Sequence, residues 1–194
     1  MSEKPYYEDD QFRTSGEERR TPKKKGGGAI EYLVILLVSF ALVFGFVRPF
    51  VVEAFWIPSG SMIPTLEIND RVLVNKFIYR FTEPKPGDVV VFSSVDDRNT
   101  DLIKRVVAVA GDRVSVRTGR LFIDGKPQRE PFTNKKFPDR SFSAPITVPK
   151  GHVFVMGDNR ANSSDSRVFG PLPKKNIEGE AFLRFWPLDR IGPL

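Results

Sequence analysis

Leu102-Ile103-Lys104-Arg105-Val106-Val107-Ala108-Val109-Ala110-Gly111-Asp112-Arg113-Val114-Ser115-Val116-Arg117 is the stretch that decides the fold. β-Branched residues fill both halves, no 3.6-residue apolar period runs through it, and Gly111-Asp112 between them is turn chemistry. The pattern recurs outward. Arg71–Tyr79, Asp88–Ser94, Leu121–Ile123, His152–Met156 and Ala181–Trp186 are short runs rich in Val, Ile and Phe. Pro84-Lys85-Pro86-Gly87, Thr118-Gly119 and Asp124-Gly125 punctuate them. Arg113–Ile123 reads as a hairpin. The sequence therefore predicts an all-β, mostly antiparallel compact domain of sandwich or barrel type over residues 49–194. Residues 126–149 are polar and proline-rich and read as an excursion from that domain.

The totals narrow the chemistry. The chain has 194 residues, 40% of them apolar, which is enough for one core and an appendage. It has no cysteine, so thiol catalysis, disulfides and cysteine-based zinc sites are excluded. A single histidine, His152, excludes a multi-histidine metal site. The net charge of +6 suits either nucleic acid or an anionic membrane surface.

The location of the charge favours the membrane. Residues 1–28 are polar, with acidic residues early and five basic ones, Arg19, Arg20, Lys23, Lys24 and Lys25, at the end. They read as a disordered tail. Ile30 to Val47 follows, 18 residues whose only charge is Glu31. As a helix these 18 residues would span about 27 Å, close to the ~30 Å hydrocarbon core, and the span is read as 29–48. The basic cluster just before it would keep the N-terminus in the cytoplasm and place the β domain on the far side. In that setting the cluster orients a span; a nucleic-acid arm is the weaker reading. A cleavable secretory signal, cut at Val52-Glu53-Ala54, is disfavoured because the apolar run exceeds the usual length of about 7–15 residues. Phe50 to Ile57 stays strongly apolar, as a buried first strand or as a patch that rests on the bilayer.

Ile57-Pro58-Ser59-Gly60-Ser61-Met62-Ile63-Pro64-Thr65-Leu66 presents two serines in a stiff, kinked, apolar segment. That is what a serine nucleophile needs, although Ser/Pro/Gly clusters also mark plain turns. Two bases are available. His152 is the only imidazole, with no third group to orient it. Lys104 would share a strand face with the apolar Leu102, Val106 and Ala108, while Arg105 lies opposite with Ile103, Val107 and Val109. Such surroundings disfavour the charged amine and lower its pKa, whereas a lysine at a sheet edge would simply reach for water. A third segment, Met156-Gly157-Asp158-Asn159-Arg160-Ala161-Asn162-Ser163-Ser164-Asp165-Ser166-Arg167, is a polar loop able to position a base. Its two aspartates do not make an acid protease, since neighbouring arginines would keep them ionised.

Pro58 to Thr65, Gly87-Asp88-Val89-Val90-Val91-Phe92, Lys104-Arg105-Val106-Val107 with Gly111-Asp112, and Gly157-Asp158-Asn159-Arg160 to Ser166-Arg167 occur in this order behind an apolar run. Together they closely resemble bacterial type I (leader) signal peptidases, over roughly residues 30–187. The resemblance implies a membrane-anchored serine endopeptidase with a Ser–Lys dyad. Ser61 would be the nucleophile and Lys104 the general base. The Ser59 hydroxyl and the Ser61 amide would form the oxyanion hole. Ser163 would orient Lys104, with Asp165 and Arg167 as a supporting ion pair. Phe55, Ile57 and Ile103 would line shallow pockets for small side chains, and the extended substrate would pair with a strand of the site. Substrates would be secretory preproteins cut after Ala-x-Ala-like sites at the bacterial cytoplasmic membrane. No metal, organic cofactor or nucleic acid is expected. Ala161 departs from the acidic residue that many members carry there, and the single apolar run and short insert differ from many Gram-negative members. Two rivals are a self-cleaving repressor-type protease, which would carry a DNA-binding domain in place of the span, and a non-enzymatic envelope module that binds peptides.

Overall fold

The computed structural model of the chain describes residues 28–47, 51–95, 97, 100–133 and 139–194. The tail through Gly27 and the helix end expected at Arg48-Pro49 lie outside the described residues.

Helix α1 runs from Ala29 to Leu42, 14 residues, and none of its side chains is buried. Val43–Val47 continues as a π-helix. The helix expected over 29–48 is thus shorter as an α-helix. Gly45 lies in the π segment and brings no side chain to stiffen the regular hydrogen-bond ladder. No helix among the described residues is long and apolar enough to cross a membrane.

Among the described residues the β domain has twelve strands, every pair antiparallel. They are β1 (Val52–Trp56), β2 (Arg71–Asn75), β3 (Val89–Ser93), β4 (Asp101–Val109), β5 (Arg113–Arg117), β6 (Arg120–Ile123), β7 (Lys126–Pro127), β8 (Ser143–Thr147), β9 (His152–Met156), β10 (Leu172–Pro173), β11 (Ile177–Trp186) and β12 (Gly192–Pro193). A four-residue helix, α2 (Ser166–Phe169), precedes β10. The larger sheet has the order β1-β2-β11-β3-β4-β9-β10, with β12 on β11. The smaller has the order β7-β6-β5-β8. The hairpin expected over Arg113–Ile123 is the β5–β6 pair. The excursion is only partial, because its first two residues and Ser143–Thr147 join the smaller sheet.

Three apolar clusters hold the layers. One side of the larger sheet, through Val72, Val74, Val89, Val91, Ile103 and Ala181, takes in Ile57, Met62 and Leu66. Val90, Phe92, Val106, Val153, Val155 and Leu172 form the second. The third joins Val107, Ala108, Phe154 and Met156 to Val114, Val116 and Leu121 of the smaller sheet. The strand β1 is paired to β2, but Glu53, Ala54 and Trp56 are exposed, so it is not the fully buried first strand that its composition allowed.

Candidate active site

The segment Ile57–Leu66 is a loop tied at its ends. The Ile57 amide donates to Asp70 O at 2.9 Å and the Asn69 amide to Ile57 O at 2.9 Å. Ile57, Met62 and Leu66 are sunk into the core and anchor the segment. Ser61 sits between them, 9% exposed. A partner from the polar loop fixes its backbone: Asn159 donates its amide to Ser61 O at 3.0 Å and its Nδ2 to Gly60 O at 2.9 Å. Ser59, two residues earlier, is exposed.

Lys104 reaches this serine across 43 residues of sequence, its Nζ lying 2.8 Å from Ser61 Oγ and 2.8 Å from Ile103 O. The lysine is 3% exposed. Burial lowers its pKa to about 8, while the carboxylates of Asp165 and Asp158 pull it back up. Register explains the placement. Lys104 pairs with Val90 and Ile103 with Val91, and cross-strand partners share a face. Lys104 therefore projects with Val90 and Val106. Ala108, expected on that face, does not stay there: a bulge between Val106 and Ala108 turns it into the cluster that holds Val107. The β9 ladder on β4 ends at Arg105, so Asp101–Lys104 is laddered to β3 alone.

The loop Gly157–Arg167 closes over the pair. Asp158, fully buried, receives Arg105 Nε at 3.0 Å and Nη2 at 2.8 Å, and Thr65 Oγ1 at 2.5 Å. Asp165 caps α2. It accepts from Gly157 N at 3.0 Å and from Arg167 Nε and Nη2 at 2.8 Å each. Burial pushes its carboxyl up, but hydrogen bonding and charge from Arg167 overcome this and hold it below the usual carboxylate range. Gly157 leaves no room for a side chain: a Cβ there would lie 2.5 Å from Ser61 O and run into Ser163.

The expected partners are thus distributed unevenly. Ser61, Lys104, Asp165 and Arg167 come together. Ser163 lies beside Gly157 and close to Asp165, and the expected bond to Lys104 is not made. Phe55 packs on the cluster holding Ile57 and Ile103, whose exposures of 2% and 8% place them mostly behind the surface. His152 is not brought to the serine; its Nδ1 lies 3.1 Å from Lys150 O. Asn159, Arg105 with Asp158, and two acidic residues of the excursion, Glu130 and Asp139, were not singled out by the sequence. Glu130 meets Arg160 at 2.6 Å and Asp139 meets Arg167 at 2.7 Å. Nothing in the local pattern around these two acids marks them.

Comparison with known proteins agrees in direction. Residues 29–186 match the family described as signal peptidase, peptidase S26. A signal peptidase I from Leptolyngbya laminosa is 43% identical over 155 residues, covering 76% of this chain and 75% of that protein. A probable signal peptidase I-1 from Synechocystis is 45% identical over 154 residues, covering 76% and 78%. The signal peptidase I P of Bacillus subtilis subsp. natto is 38% identical over 171 residues, covering 84% and 91%. A crystal structure of a signal peptidase I from Enterococcus faecalis V583 overlaps 51% of this chain at 28% identity with a TM-score of 0.45, an overlap that adds nothing to the sequence match. A serine buried beside a lysine, in a chain that matches this family over most of its length, fits one class of chemistry, and the chain belongs to the S26 signal peptidase family as a serine-type peptidase.

Proposed function

We propose that this chain is a membrane-anchored type I signal peptidase that cuts secretory preproteins after Ala-x-Ala-like sites through a Ser61–Lys104 dyad. The observation that carries the reading is the 2.8 Å contact between Lys104 Nζ and Ser61 Oγ in a site where burial favours the neutral amine.

The neutral Lys104 amine takes the Ser61 hydroxyl proton as Oγ bonds to the scissile carbonyl carbon. The oxyanion is met by the Ser61 amide and the Ser59 hydroxyl, which the exposure of Ser59 leaves free to turn toward substrate; each such donor is typically worth about 2.7–4 kcal/mol. The C–N bond then breaks, and the Lys104 ammonium gives its proton to the departing amine of the mature chain. Water attacks the ester, its proton passing to Lys104, and the signal peptide leaves as a carboxylic acid while Ser61 regains its hydrogen. Ser163 turns toward the ammonium when it forms, and Asp165 with Arg167 supports the loop.

The extended substrate adds to β4 at Asp101–Lys104, where the ladder has one side open. Its small side chains lie against Phe55, Ile57 and Ile103. The fully exposed apolar face of α1, with the basic residues Arg19 to Lys25 before it, supports a single span running from Ala29 through the π segment, N-terminus in the cytoplasm and β domain outside.

The test is cleavage of a preprotein with an Ala-x-Ala site by the full chain in detergent, beside Ser61→Ala and Lys104→Ala. Cleavage after the second alanine by the unaltered chain alone is expected. Cleavage that survives either substitution would overturn the dyad.

A further inference from the structure

We propose that the described arms of the excursion, residues 126–133 and 139–149, are a positioning strap for the dyad, in which Glu130 and Asp139 act through Arg160 and Arg167 to hold Gly157 against Ser61. The inference rests on the dyad reading above and adds two residues to it, neither of which touches the reacting atoms.

Two chains of contacts start in the described arms of this segment and converge on one peptide unit. The first runs from Glu130, whose two oxygens take Arg160 Nη1 at 2.9 Å and Nη2 at 2.6 Å. Arg160 Nε then donates to Gly157 O at 2.9 Å. The second runs from Asp139, which takes Arg167 Nη1 at 2.7 Å, with Ser141 Oγ adding a contact at 2.9 Å. Arg167 grips Asp165, and Asp165 accepts the Gly157 amide at 3.0 Å. Both polar groups of Gly157 are thus held from the strap. Arg167 Nη2 also donates to Arg160 O at 2.8 Å, which couples the two routes.

Charge shows why the loop needs the strap. Arg105 and Arg167 find aspartates inside the loop, Asp158 and Asp165. Arg160 is 5% exposed and takes its carboxylate from Glu130. A buried cation stripped of its partner is strongly destabilising. The loop therefore adopts this closed form with the strap in place. Phe132 of the same segment stacks on Arg105, ring centroid 4.3 Å from the guanidinium carbon, so the strap contacts all three arginines around the site. Its second arm has its own seat: the Gly119 amide donates to Ser141 O at 3.0 Å, and a Cβ at Gly119 would run into the Asp139 backbone. The point held is the one that matters for geometry, because Gly157 packs on the Ser61 carbonyl.

The test uses the full chain in detergent with the near-isosteric variants Glu130→Gln and Asp139→Asn. Asp139→Glu is the conservative rescue, Ser61→Ala tests the dyad itself, and Tyr79→Phe is the stability control; Tyr79 bonds Asp88 at 3.0 Å. Each variant is measured for kcat, KM, the pH dependence of kcat, thermal midpoint and hydrogen exchange of the Met156–Arg160 backbone. Misplacement by a fraction of an ångström is expected to lower kcat about 10- to 100-fold with KM changed by no more than about twofold. Lys104 faces Ser61, the Ile103 carbonyl, Asp158 and Asp165, so a loosened loop would rehydrate it and move the acidic limb of kcat upward. Exchange at Gly157 is expected to speed up about tenfold or more, and Asp139→Glu to restore most of the loss. Unchanged exchange and unchanged kcat in both variants would overturn the strap, as would losses that Tyr79→Phe reproduces at the same thermal midpoint. Residual cleavage by Ser61→Ala would sink the dyad reading instead, and Gly157 exchange would still decide the strap.

Discussion

Arg105 and Asp158 meet through two parallel hydrogen bonds, Nε to Oδ1 at 3.0 Å and Nη2 to Oδ2 at 2.8 Å, with both side chains buried. Arg105 follows Lys104 in β4 and Asp158 follows Gly157, so this fork joins the strand of Lys104 to the loop above it. Arg105→Ala leaves a buried carboxylate uncompensated and is expected to cost about 3–5 kcal/mol in denaturant unfolding. Arg105→Lys keeps the charge and loses the fork, so it falls between that and the unaltered chain.

Replacing the proposed base separates stability from catalysis. Lys104→Met removes an amine whose burial opposes its charge. Unfolding at pH 7 is expected to become harder by on the order of 3 kcal/mol, while preprotein cleavage is lost. Lys104→Arg keeps a cation that cannot take a proton near neutrality, and its turnover is expected to fall by roughly 100-fold or more. Full activity in the arginine variant would exclude Lys104 as the base.

The pH dependence has a defined sign. Lys104 has its pKa lowered in the folded chain to about 8, from an ordinary 10.5. Below about 8 it is charged in both states and the burial penalty is fully present. Between about 8 and 10.5 the unfolded chain binds the extra proton, so this group's contribution to stability rises with pH. Turnover is expected to climb through pH 8 as the amine becomes neutral. A rate profile flat from pH 6 to 9 would remove the lysine from the rate-determining proton transfer.

Ser163 gives a cleaner separation. Its hydroxyl is buried and makes no bond to Lys104, so Ser163→Ala is expected to change the thermal midpoint little. If that hydroxyl steadies the protonated lysine during turnover, kcat falls about 10-fold in the same protein. Unchanged kcat would confine Ser163 to packing.

Gly157→Ala tests how tightly loop and nucleophile meet. Its Cβ would collide with the Ser61 carbonyl, a backbone atom that cannot move aside cheaply. Cleavage is expected to fall by more than about 10-fold, with KM the smaller change. Retained activity would mean that the loop is free to shift.

Much of this was legible in the chain before folding. The β-branched runs of β3, β4 and β5 and the Thr118-Gly119 turn marked strands and hairpin, because period and turn chemistry are local properties. The face of Lys104 followed from alternation alone; that of Ala108 did not, since a bulge inserts a residue that alternation cannot foresee. Strand β8 escaped notice because Pro145 lies inside it and most of its residues are exposed. Glu130 and Asp139 were invisible for a different reason. Each is an ordinary acid in a polar stretch, and only closure across 28 to 30 residues gives it a buried arginine. Ser163 shows the converse, where neighbourhood in sequence was right and the expected bond was not made.

The serine and its lysine are 43 residues apart, and the asparagine that pins the serine backbone is 99 residues from the Gly60 carbonyl it holds. None of the three can act before strands from both ends of the domain have met. A copy of the chain that is still folding therefore carries a harmless hydroxyl and an ordinary amine. On the dyad reading, the capacity to cut peptides appears only with the finished fold.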